Sequence, residues 1–86
     1  MSDQPSNMKS FMEKALADVN VSLDELRGIA IMPRNPTEKR LVDDFWNELM
    51  IFVNDYDIRL RDDKYNTNRK ERLRNAFSAL VKHELL

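Results

Sequence analysis

The residues able to do chemistry are few and poorly spaced for it. The chain holds one histidine, His83, and serines at positions 2, 6, 10, 22 and 78. None of these serines stands at a spacing that reads as a nucleophile–base pair, and a lone imidazole without a placed partner is a surface or helix-end group. There is no cysteine, which removes thiol nucleophiles, disulfides and thiolate metal sites. A single glycine, Gly28, is too few for a phosphate-cradling loop or a dinucleotide fold. The expectation is a non-enzymatic protein with no catalytic residues and no cofactor.

The carboxylates of Asp55, Asp57, Asp62 and Asp63 invite a calcium reading. An EF-hand loop beginning at Asp55 needs an oxygen ligand at its fifth position, glycine at its sixth and glutamate at its twelfth. Arg59, Leu60 and Asn66 stand there instead. These acids are therefore read as solvated charges near a helix end, and no metal is expected.

Charge is distributed unevenly along a chain whose formal net charge is only −1. Residues 38–57 carry six acids and two bases; residues 59–74 carry seven bases and three acids. The ordinary account is that the two blocks neutralise each other across an antiparallel helix pair. The functional account is a basic surface made by Arg69, Lys70, Arg72 and Arg74, placed at the start of a last helix and suited to a polyanion or an acidic partner. Bases oppose the macrodipole in a first turn, so acids substituted there would favour the helix. The bases are interleaved with acids, have no set of stacking aromatics among them, and belong to a chain with pI ≈ 5.8. Nucleic acid is therefore the second expectation, not the first.

The strongest pattern is apolar. Leu41, Val42, Phe45, Trp46, Leu49, Phe52, Val53, Tyr56 and Leu60 follow Asn35-Pro36-Thr37-Glu38. Asn35 is an N-cap, Pro36 suits the first helical position, and Glu38 stands at the third. The spacing predicts a helix over 36–60, with a break near Asn54-Asp55 as the alternative. Adjacent apolar pairs lie about 100° apart round a helix, so the apolar arc is wide. Part of it is expected to form the core, with Phe45 or Trp46 against Phe77 or Leu80. The surplus, Trp46, Met50, Ile51 and Val53, is the candidate partner-binding face.

The other elements follow from similar signals. Met8, Phe11, Met12, Ala15, Leu16 and Val19 share one helical face, predicting a helix over 7–19. Ser22 and Glu25 form a capping box with Val21 and Leu26 as a hydrophobic staple. This starts a second helix at Leu23, which either continues to about residue 31 or stops at Gly28 after little more than one turn. Residues 32–35 connect, since each proline disfavours α conformation in its predecessor. Residues 61–67 read as a polar loop. Asn68 then caps a last helix over 69–83, with Glu71 at its third position, and its inner face carries Leu73, Ala76, Phe77, Leu80 and Val81.

At 86 residues the chain is one domain. The fold expected is all-α: a small four-helix bundle or orthogonal helical array with one long central helix, formed by residues 7–86 behind a flexible segment 1–6. No membrane-spanning run and no signal peptide is read, so a cytoplasmic setting follows by default. The function expected is a small protein–protein interaction or adaptor module acting through an apolar helix face. Its partner is another protein or, through homodimer formation, a second copy of itself.

Overall fold

Asn35 begins the central helix as its sequence demands. In the computed structural model, which describes residues 4–85, helix α2 runs Pro36–Asn54 and the Asn35 side chain accepts from the Glu38 backbone N–H at 2.9 Å. Val42, Phe45, Leu49 and Phe52 are its buried apolar residues. The helix does not reach residue 60. It ends at Asp55, and a short helix α3, Tyr56–Arg61, follows at once. The break near Asn54-Asp55 is thus the reading the structure bears out.

Helix α4, Asp63–Lys82, starts six residues before the position expected from Asn68. Its cap is Asp62, whose carboxylate accepts from the Tyr65 backbone N–H at 3.0 Å. The segment 61–67 is therefore mostly helix, not loop. Its inward positions are polar, which hides it from a search for apolar periodicity. Asn66 is buried there, and Tyr65, Arg69 and Lys70 are half-buried. Leu73 and Leu80 continue the same line as fully buried apolar residues.

Helices α2 and α4 form an antiparallel pair. Glu38 near the start of α2 meets His83, the residue that caps the end of α4, while Glu48 further along meets Arg69. The Phe45 ring lies 6.0 Å from that of Phe77 and is wholly buried. The acidic and basic blocks meet here at one acid: Glu48 accepts from Arg69 at 2.6 Å and lies 3.7 Å from Arg72, while Arg59 and Lys70 pair with Asp18, outside the acidic block.

Helix α1 spans Gln4–Leu16, so it both starts and stops three residues earlier than expected. Residues 4–6, expected to be flexible, belong to its first turn; residues 1–3 lie outside the described residues. Met8, Phe11, Met12 and Ala15 enter the core. Val19 does not: it is 45% exposed, because the chain turns away at Asp18, where φ is +64°. The Ser22 capping box forms as expected, but it opens only a 3-10 turn, Leu23–Leu26. Gly28 then takes φ +89°, a conformation that favours glycine and ends the element. The longer second helix to residue 31 is absent, and Ile31 reaches the core from an extended connector.

The class is all-α, with four helices and one 3-10 turn and no strand among the described residues. The Cα extents are 39 × 28 × 17 Å, and one apolar core joins α1, the 3-10 turn, α2 and α4. No described helix is long and apolar enough to cross a membrane.

Candidate interaction groove

Three of the four apolar residues expected to bind a partner lie on one stripe of α2. Trp46, Met50 and Val53 are spaced i, i+4, i+7, the spacing of one helix face. Ile51 is about 100° further round than Met50 and belongs to the opposite flank. Met50 is 46% exposed, and Trp46 and Val53 are half-buried against the core. The Trp46 ring sits edge-on to Phe45 at 5.5 Å, which fixes the indole at the margin of the core.

The other wall of this stripe is the 3-10 turn. Leu23 and Leu26 face Trp46 and Met50 across a groove of about 360 Å³, and Asp24 and Arg27 stand at its rim. The groove exists because the second element is one turn long. Gly28 ends it before it can cover Met50. Leu26 is buried and Leu23 half-buried. Asp24 and Arg27 pair with each other at 3.3 Å, and both side chains are more than four-fifths exposed. Such a pair contributes little in isolation, so both charges are available to a partner. Nothing in the sequence marks Leu23, Leu26, Asp24 and Arg27 as site residues, because they stand in and beside a capping motif that accounts for the segment.

Three of the four basic residues are engaged within the chain. Arg69 is bound to Glu48, Lys70 to Asp18 at 3.0 Å, and Arg72 to Asn68 at 3.2 Å as well as lying near Glu48. Arg74 is exposed. With α4 starting at Asp63, these four sit in its second to fourth turns. The helix-terminal N–H groups are not beside them, and the macrodipole argument for an anion at this segment does not apply.

A second concentration of polar groups lies where α3, α4 and the end of α1 meet. Arg59 is 1% exposed. Its Nε donates to the Phe52 carbonyl at 2.9 Å, and its Nη1 donates to Asn66 Oδ1 at 3.0 Å and to Asp18 Oδ1 at 3.3 Å. The guanidinium carbon lies 3.6 Å from the Phe52 ring centroid, a cation–π contact that offsets part of the cost of burying the charge. Asp18 also accepts from Asn66 Nδ2 at 3.2 Å and from Lys70, and its backbone carbonyl accepts from the Tyr56 hydroxyl at 3.2 Å. Burial works to raise the Asp18 pKa, but Lys70, Asn66 and Arg59 together hold it below the ordinary carboxylate range. Sequence does carry a signal for Arg59. It stands seven residues after Phe52 and three after Tyr56, a base on an apolar stripe.

Asp55, the first residue of the calcium reading, accepts a hydrogen bond from the Tyr65 hydroxyl. Among the described residues, no group of three or more His, Cys, Asp or Glu side chains is placed to hold a metal ion. No family model, curated protein or solved structure matches the chain. Its function is therefore argued from its own geometry.

Proposed function

We propose that the protein is a small cytoplasmic, non-enzymatic interaction module that self-associates through the groove between the 3-10 turn and α2. The observation that carries this reading is the open stripe of Trp46, Met50 and Val53, whose first two members face Leu23 and Leu26 across the groove. It presents large apolar side chains in a row, half-exposed, on a rigid helix. Aromatic residues and methionine are the types enriched where proteins dock.

The occupant proposed is a second copy of the chain. The groove rim carries one acid and one base, Asp24 and Arg27, side by side on the 3-10 turn, and a two-fold axis passing between them brings each against its opposite on the other copy. A surface with this arrangement is self-complementary, which is the requirement of an isologous contact. The domain is also small enough to gain from added burial, since a chain of this length buries only about 60% of its unfolded surface.

Sedimentation equilibrium tests the reading. The expected result is a reversible dimer over micromolar to millimolar concentrations. Met50→Asp is expected to give a monomer with unchanged far-ultraviolet circular dichroism, because Met50 is half outside the core. A wild-type chain that stays monomeric throughout that range would overturn self-association, and dimers unaffected by Met50→Asp would place the contact elsewhere.

A further inference from the structure

We propose that Arg59, Asn66 and Lys70 form a binding site for a single phosphate-class oxyanion, which Asp18 fills from within the chain and yields to an external anion. The inference is independent of the groove and of self-association.

The site has the parts such an anion needs. The Arg59 guanidinium is fully buried and fixed by the Phe52 carbonyl and ring. Asn66 is 9% exposed, and its Nδ2 points at the same carboxylate. The Lys70 side chain is 19% exposed, with Nζ 3.0 Å from Asp18 Oδ2. Three donors from α3 and α4 thus converge on one position.

Asp18 fills that position imperfectly. Two cations share the Asp18 carboxylate, while the Asp55 carboxylate, which also acts on Arg59, is occupied by the Tyr65 hydroxyl. The Arg59 and Asn66 contacts are 3.3 and 3.2 Å, longer than the 2.7–2.9 Å usual for charge-assisted bonds. The residue holds φ +64° without being glycine, a conformation uncommon for side-chain-bearing residues. Its side chain is 34% exposed, so the carboxylate lies at the solvent margin of the cluster. A phosphate group near neutral pH carries between one and two negative charges and several acceptor oxygens. It matches two cations and an amide better than one carboxylate does. Because Asp18 lies two residues beyond α1, an anion that takes the place of its carboxylate leaves that end of the helix tied to α3 by the Tyr56 hydroxyl bond alone among the polar contacts of Asp18.

The test uses the full chain and inorganic phosphate. Asp18→Gly removes the carboxylate and relaxes the backbone; Asp18→Asn removes the charge alone and serves if the glycine variant folds poorly. Titration followed by amide NMR, against chloride at matched ionic strength, is expected to show saturable phosphate binding to the variant, with shifts at Asn66 and Lys70. The melting temperature is expected to rise by about 8 °C at tenfold the dissociation constant. Adding Lys70→Gln is expected to weaken that binding by roughly tenfold or more, the loss of one charge-assisted bond to an ion. Acetate, with a single charge, is expected to bind more weakly than phosphate. In the wild type, phosphate is expected to bind about tenfold or more weakly, because the tethered carboxylate competes at millimolar effective concentration or above. At saturation it is expected to speed amide exchange at the end of α1. Equal behaviour of the Asp18 variants in phosphate and chloride would overturn the site. Wild-type α1 exchange that does not respond to saturating phosphate would overturn the exchange of Asp18 for the anion.

Discussion

Among the described residues, Arg59 and Glu38 are the two charged side chains that the fold buries, and each is stabilised by a different device. Arg59 is held by a carbonyl, an amide, a carboxylate and an aromatic face. Glu38 is held at the mouth of α2: it accepts from the Arg34 backbone N–H at 2.9 Å and from the Arg34 guanidinium at 2.9 and 2.8 Å, and His83 Nδ1 lies 3.5 Å away. Arg34 Nη2 also donates to the His83 carbonyl at 2.6 Å, so the group joins the start of α2 to the end of α4. The Arg34 guanidinium is the main reason the Glu38 pKa falls from 4.5 to about 2, against burial, which acts to raise it. A carboxylate whose folded pKa is depressed contributes stability that is complete above its unfolded pKa and is lost as pH falls through the folded one. The protein is therefore expected to weaken progressively between about pH 4.5 and 2. Urea midpoints measured across that range check this. Glu38→Gln is expected to be less stable near neutrality and to show a flatter acid limb. An acid limb as steep as that of the wild type would assign the pH dependence to other carboxylates, Asp18 among them.

Helix α4 shows how far local signals reach. The caps at Ser22 and Asn35 are legible because a small polar residue, a glutamate three positions on and an apolar run coincide, and both form as read. The same signal at Asn68 and Glu71 falls inside α4, whose start at Asp63 carries no such pattern. Between Leu60 and Leu73 the only large apolar side chain is Tyr65, and the helix is held there by Asp55, Asp18 and Glu48, which come from distant parts of the chain. No period within the segment records those partners. The groove was half legible: Trp46, Met50 and Val53 stand out as surplus apolar positions, but the shortness of the facing turn depends on Gly28 adopting a left-handed conformation. The revised position of α4 changes what charge reversal does to it. Arg69→Glu with Arg72→Glu would be favourable in a first turn, but here it sets two acids against Glu48. The Arg69 and Glu48 side chains are only 11% and 20% exposed, so the lost pair is poorly screened. Reversal is expected to destabilise the fold by roughly 2–4 kcal/mol. Chemical denaturation measures the difference; an equal or higher midpoint in the double variant would show that the Arg69–Glu48 pair contributes no net stability.

The helices make a flat body, 17 Å across its shortest Cα dimension, so that few residues lie far from a surface. Its radius of gyration, 12.8 Å, is slightly above the roughly 12 Å expected of a compact chain of this length. Flatness leaves α2 central yet incompletely covered: α4 covers one flank, and the single 3-10 turn covers part of the other. The proposed dimer adds a second layer on that open flank, and its geometry makes a specific demand on charge. Under two-fold symmetry, Asp24 of one copy faces Arg27 of the other. Arg27→Asp alone then places like charges across the interface twice and is expected to weaken self-association by about tenfold, the effect of roughly 1.4 kcal/mol. Adding Asp24→Arg restores opposite charges at both contacts and is expected to return the dissociation constant to within about threefold of the wild type, a residual of roughly 0.7 kcal/mol. Both side chains are exposed in the single chain, so the monomer fold is expected to be unchanged in each variant. Sedimentation equilibrium on the three proteins at low and high salt provides the measurement. Salt is expected to narrow the difference between them, because it screens rim charges while leaving apolar burial in place. Failure of the double variant to recover would mean that Asp24 and Arg27 do not face each other across a two-fold axis, even if Met50 lies within the contact.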